Sequence, residues 1–345
     1  MPRAVHRPSS VRARTRLVPF AALAALALAG CASGAPAASP STDGAAASTA
    51  SSGAYRPVTV DNCGTEVTFD APPRRVVTIK SSTTEMVLAL GAADRLVGTA
   101  FADGPVPERW AADVADVPVL SDKVPGPEAL LGSEPDLVYA GWESNLTADG
   151  AGDRASLAAL GIATYVSPAA CKEPGYQPDP LTFDDVFGEV REVGAVLGVP
   201  DAAEAVVAEQ QGVLDAIEPV DGTTAVWWSS GGDTPYVGAG IGAPQMIMAA
   251  AGLTNVFADV HDTWTSVGWE QVVAADPDVI VLVDAAWNTA DSKKAALAAN
   301  PATSQLDAVR EQRYVVVPFA ATEAGVRNAQ AAADVAEAVR ALDAD

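Results

Sequence analysis

Short apolar runs of β character alternate with stretches of helical apolar spacing through most of the chain, and one such pairing is written twice. Residues 128–139 read EALLGSEPDLVY and residues 270–282 read EQVVAADPDVIVL. In both, a Glu stands seven residues before a Pro-Asp pair, two apolar residues follow shortly after the Glu, and an apolar run follows the Asp. Each copy predicts a short helix feeding a strand. A strand-helix unit recurring about 140 residues later predicts two similar lobes rather than one large sheet.

The alternation extends on either side. Residues 58–69, VTVDNCGTEVTF, pattern as a small hairpin turning at Asp61, Asn62 and Gly64. Residues 76–79 form a buried strand, and Lys80-Ser81 leads from it into Ser82-Thr83-Thr84-Glu85, the spacing of a capping box; that helix stops at Gly91. Further strands are expected at 96–99 and 162–166, with a helix from Arg154 to Leu160 between the last two strands of this half. From Thr182 to Ile217 two helical patterns follow one another, broken at Gly198 to Pro200, with no strand between them. They predict a connector, with the second helix as its spine. Strands at 224–228 and 314–317, a helix at 244–251 and an Ala-rich helix at 328–342 complete the second half. The expected fold class is therefore α/β: two Rossmann-like lobes, 56–181 and 219–345, joined by connecting helices at 182–218, with a ligand cleft between them.

The first thirty residues carry a different pattern. Arg3, Arg7, Arg12, Arg14 and Arg16 form a basic region, Leu17 to Leu28 an apolar one, and Leu28-Ala29-Gly30-Cys31 closes it. The apolar run is shorter than the roughly 20 residues of a membrane span. Residues 31–55, rich in Ala, Ser, Thr and Gly, cannot bury a core and read as a flexible tether. All five of those Arg residues precede Cys31 and none of the 44 acidic residues does, so the chain from Cys31 onward has 16 basic residues and a net charge of −28. Such a surface repels nucleic acid and phospholipid headgroups, which makes each well-placed Lys or Arg informative. With Cys31 set aside, Cys63 and Cys171 remain in an exported setting. A disulfide between them is the economical reading, two separate buried thiols the alternative. His261 stands alone, so no Cys/His metal spacing exists, and neither metal nor cofactor is expected.

Taken together, the leader and the phrases RRVVTIKSSTTEMVLALGAADRLVG (74–98), PEALLGSEPDLVYAG (127–141), LGVPDAAEAVVAEQ (197–210) and WEQVVAADPDVIVLV (269–283) resemble the substrate-binding lipoproteins of ABC importers for ferric siderophores, cobalamin and haem. That resemblance covers 57–342. It implies lipidation at Cys31, membrane attachment by that lipid alone on the extracytoplasmic side, and a monomer that meets a permease dimer. It also implies two lobes joined by a rigid helix. The matching docking residues are Glu128 and Glu270, whose carboxylates on two rigid lobes would read the permease's spacing as well as its charge. The bland reading is that each Glu favours its helix N-terminus by a few tenths of a kcal/mol. The phrases TIKSSTTE, VYAGWESN, PAACKEPGYQPDPLTFDDVF and DTPYVGAGIGAPQMIMAAAGL are also similar to an actinobacterial subgroup proposed to import the phosphorylated deazaflavin precursor of coenzyme F-420.

Ligand candidates follow from the rule that open α/β sheets bind beyond their strand carboxyl ends. An anionic ligand calls for Lys80, Ser81, Lys172 and Arg327; a ring-bearing one calls for Trp142, Trp264 and Trp287, with Glu143, Tyr236 and His261 as polar neighbours. Each of these cations has a competing reading as a solvated charge, and each Trp as a core residue. An exported hydrolase is the remaining alternative, disfavoured because no Ser lies in a GxSxG elbow and one His must serve any triad.

Overall fold

The computed structural model describes residues 55–344. The leader, Cys31 and the tether lie outside the described residues. Strands β1 (Val58–Asn62) and β2 (Thr65–Phe69) pair antiparallel, Val58 opposite Phe69. The turn falls on Cys63 and Gly64, both at positive φ (52° and 75°), while the expected turn residues Asp61 and Asn62 belong to β1. Two-residue hairpin turns match strand twist when both positions take positive φ, and that requirement placed the turn.

The first lobe runs β3 (Val76–Ile79), α1 (Ser81–Ala89), β4 (Leu96–Ala100), α2 (Glu108–Val114), β5 (Val119–Ser121), α3 (Pro127–Gly132), β6 (Leu137–Ala140), α4 (Arg154–Ala159) and β7 (Ala163–Val166). Its five strands are parallel in the order β5-β4-β3-β6-β7. Every residue of β3 is buried, as expected for a central strand covered on both faces. Helix α1 begins two residues earlier than the capping-box spacing predicts: Lys80 holds the cap position with no side-chain cap, and Glu85 is turned into the interior instead.

Two connecting helices follow, α5 (Phe183–Val196) and α6 (Pro200–Asp215). Thr182 and Asp185 cap α5 reciprocally. Between the helices Gly198 adopts φ 67°, and a Cβ on Gly194 would collide with Ala203, so the pair crosses at close range. Both connecting helices bridge the lobes: Ala203 and Val207 of α6 join the first lobe's core while α6 packs against the last helix of the second, and α5 bridges as well. Phe187, Val190 and Val193 enter the first lobe's core, while Val186 packs with Ala243 and Met246 of the second lobe.

The second lobe comprises β8 (Thr224–Ser230), β9 (Tyr236–Gly238), α7 (Ala243–Ala251), β10 (Thr254–Asn255), β11 (Trp264–Ser266), α8 (Trp269–Ala275), β12 (Val279–Asp284), α9 (Ala290–Ala299), α10 (Asp307–Arg310), β13 (Tyr314–Pro318) and α11 (Asn328–Ala344). Its sheet runs β11-β9-β8-β12-β13, with β10 also on β8. β9 and β11 are antiparallel additions, and the rest is parallel.

One buried acid ties the connector to the first sheet. Glu189 of α5 accepts hydrogen bonds from the Tyr139 hydroxyl at 2.6 Å and the Ser167 hydroxyl at 3.1 Å. Burial pushes its carboxyl from 4.5 up to about 7. The native state thus holds this proton more tightly than the unfolded chain does. The associated stability is fully present below about pH 4.5 and is lost as pH rises through about 7, a change of ~3 kcal/mol. Glu189→Gln is expected to be more stable than the parent at pH 8 and equal to it near pH 4, read by urea unfolding across that range; a difference independent of pH would contradict the assignment.

Candidate functional site: the cleft between the lobes

The carboxyl ends of both sheets converge on a cavity of about 430 Å³, within the range of small-molecule sites. Trp142, just beyond β6, and Ala169, Ala170 and Lys172, beyond β7, face it from the first lobe. Ser229 and Ser230 of β8, Tyr236 of β9 and Trp264 of β11 face it from the second, with Trp287 beyond β12 and Phe319 and Glu323 beyond β13. The walls are aromatic. Tyr236 and Trp264 stack with centroids 5.8 Å apart, and Trp287 meets Phe319 edge-on at 5.7 Å. Trp142 meets Phe101 edge-on at 5.5 Å.

Two of the expected anion-binding cations are used internally. Lys80 is fully buried and paired with Asp103, whose carboxylate also accepts the Ser81 backbone N–H at 3.2 Å. The Lys80 ammonium lies 3.7 Å from the Trp142 ring centroid. Its backbone takes φ 92°, ψ 153°, a region normally reserved for glycine, so strain is stored at this strand exit. Gly141 makes room for it, since a Cβ there would stand 2.7 Å from that of Lys80. Arg327 grips Glu85 of α1 through Nε and Nη2 and also donates to the Pro105 carbonyl at 3.1 Å. This pair joins the lobes, and a second bond crosses beside it: Trp142 Nε1 donates to Glu323 Oε2 at 2.9 Å. Burial raises the Glu85 and Glu323 carboxyls above the usual range, opposed by Arg327 and by Lys80 respectively.

The rim has its own support. Cys63 and Cys171 are joined, closing a separation of 108 residues. The Tyr176 hydroxyl donates to Asp61 at 2.6 Å, and Asn62 bonds both the N–H and the carbonyl of Val166 at 2.8 Å. The hairpin therefore anchors the loop that carries Lys172, whose backbone N–H donates to Glu143 at 2.6 Å.

Of the residues singled out by sequence, the cleft brings together Trp142, Glu143, Lys172, Tyr236, Trp264 and Trp287. Lys80, Ser81 and Arg327 stand behind it in polar networks rather than in its wall. His261 is exposed, 3.6 Å from Asp179, and does not line the cavity. Sequence reasoning passed over Phe319 and Glu323 as wall residues, though both follow a strand end. It also missed Asp103 and Glu85 as counter-ions, for which no local signal exists. Glu128 and Glu270 are exposed in the first turns of α3 and α8. In a parallel βαβ unit the helix runs against its strands, so both helix starts lie at the cleft end of their lobes. Among the described residues no group of three metal-ligating side chains occurs, and no helix is long and apolar enough to cross a membrane.

Two parallel-sheet lobes that aim their carboxyl ends at one shared cleft define a bilobal α/β class. The chain belongs to the periplasmic binding protein family, whose pattern matches residues 76–321. It is 30% identical over 237 residues to a cobalamin-binding protein of Halobacterium salinarum, covering 64% of this chain and only 57% of that protein's length. It is 25% identical to an uncharacterized ABC transporter substrate-binding lipoprotein of Bacillus subtilis, over 82% of this chain and 85% of that one. Among solved structures, an ABC-type Fe3+-hydroxamate transport protein from Saccharomonospora viridis superposes with a TM-score of 0.69 at 28% identity, covering 84% of this chain and 99% of that one. A periplasmic binding protein from Veillonella parvula shares the fold, with a TM-score of 0.74 at 24% identity over 83% of this chain and 98% of that one.

Removing one partner of the inter-lobe pair leaves a buried charge uncompensated. Arg327→Met is expected to cost ~3–5 kcal/mol in urea unfolding, while the double change Glu85→Leu with Arg327→Met recovers most of that. Equal losses in the single and double variants would show that the pair is not coupled.

Proposed function

We propose that this protein is the extracytoplasmic, lipid-anchored solute-binding component of an ABC importer, capturing a planar, ring-bearing small molecule in the cleft and delivering it to a permease dimer without chemical turnover. The observation that carries this reading is the cleft wall itself: aromatic rings from both lobes around one cavity of about 430 Å³. Faces of this kind hold ring systems by stacking. The family and the cobalamin-, iron- and lipoprotein-named relatives support the transport role.

The ligand class is a ferric siderophore-like chelate or another anionic ring-bearing compound. With Lys80 and Arg327 each committed to a carboxylate, Lys172 is the cation lining the cavity. That arrangement favours a ligand that is mostly ring with its acidic group near the rim. The phosphorylated deazaflavin precursor of coenzyme F-420, an aromatic ring system with anionic groups, fits this description and is the second reading. Glu128 and Glu270 are the proposed permease contacts, and Cys31 the proposed lipid attachment.

Mass spectrometry of small molecules retained by protein purified from its native host is expected to recover a ring-bearing compound. Added back, that compound should quench tryptophan fluorescence and emerge unchanged. A ferric chelate would discard the deazaflavin reading, and a converted product would discard the transport reading in favour of an enzyme. Glu128→Lys combined with Glu270→Lys should abolish uptake in cells while leaving ligand affinity intact; unimpaired uptake would sink the docking assignment.

A further inference from the structure

The two tryptophans that follow the repeated phrase are backed by the same chemistry. Trp142 follows β6 and Trp287 follows β12, and both line the cavity. Lys80 Nζ lies 3.7 Å from the Trp142 ring centroid and 5.0 Å from that of Phe319, another wall residue. Lys293 Nζ, from α9, lies 6.0 Å from the Trp287 ring centroid and 5.9 Å from that of buried Trp228. The two lysines are 0% and 1% exposed, and neither lines the cavity. Each ammonium group is thus screened from the cleft by aromatic rings in its wall.

The surroundings leave charge to act through those rings. Lys293 donates to the carbonyls of Val283 at 2.6 Å and Asn288 at 2.7 Å, with Asp284 the carboxylate nearby. Lys80 pairs with Asp103, yet it stands close to three rings at once. The carboxylates in the cavity wall are engaged: Glu143 accepts the Lys172 N–H, and Glu323 accepts the Trp142 indole N–H. A cation held against one part of an aromatic group draws its π density inward. The face left for a ligand is then less negative.

We propose that Lys80 and Lys293 set the specificity of the cleft through its tryptophans, selecting planar ligands whose ring system is electron-rich or anionic. The proposal rests on the reading of the cleft as a planar-ring site and adds the electronic class of the ring. It also accounts for two buried ammonium groups that a purely apolar backing would replace at lower desolvation cost.

A matched dye pair tests it: 7-hydroxycoumarin, which ionises to a phenolate, and 7-methoxycoumarin, which cannot. At pH 7 the bound hydroxy dye is expected to show a phenolate-to-phenol absorbance ratio raised about threefold or more over the free dye. Lys293→Met should return that ratio toward the free value and lower 7-hydroxycoumarin affinity more than 7-methoxycoumarin affinity, and Lys293→Arg should preserve the ratio. Lys80→Met, combined with Asp103→Asn so that no carboxylate is stranded, should act in the same direction; if that double variant does not fold, Lys293→Met decides alone. A ratio unchanged on binding, or unchanged by Lys293→Met, overturns the proposal while leaving the planar-ring reading standing. Failure of both dyes to bind overturns the planar-ring reading, and this proposal with it.

Discussion

Everything at the cleft depends on a charge pair that spans the chain almost end to end. Glu85 and Arg327 are 242 residues apart, and their bidentate contact is where the first helix of one lobe meets the approach to the last helix of the other. A desolvated pair of this kind adds little net stability over an apolar contact, but it tolerates few alternative geometries. Its value here is registry. With Arg327 seated on Glu85, Glu323 is brought to the Trp142 indole and Phe319 to the Lys80 ammonium. The cleft therefore has a defined width before any ligand arrives.

Around that pair the second constraint is topological. Parallel strands deliver all their carboxyl ends to one edge of a sheet, and two such sheets facing one another concentrate loop side chains in the space between them. The connector keeps the two edges opposed: α5 feeds both cores, and the close crossing with α6 at Gly194 and Ala203 limits sliding. Glu189 shows the cost of that rigidity, a carboxylate shut inside the joint with only two hydroxyl donors.

Much of this was legible in the chain itself. The duplicated phrase announced two lobes, apolar runs located the central strands, and the strand-exit rule found six of the wall residues. The failures share one physical cause. Lys80 and Arg327 look like free cations because their partners, Asp103 and Glu85, are distant or hidden in a helix-start pattern; only the folded chain shows that each is paired with a carboxylate. The antiparallel strands β9 and β11 escaped notice because three-residue strands in Gly- and Asp-rich sequence carry no periodicity. Lys293 had no local signal at all, being one of two adjacent lysines on a polar helix start.

The bond between Cys63 and Cys171 joins a hairpin turn to a rim loop, not one core element to another. Neither cysteine lies in a strand, yet both are buried against the core that backs β3 and β6. What it confers is order at the mouth: the loop bearing Lys172 is held against the hairpin by this bond and by the Tyr176 contact beside it. The bond thus bears on the mouth as well as on the core. A reduced chain would lose a covalent tie in that core and, with it, part of what fixes the cation at the entrance.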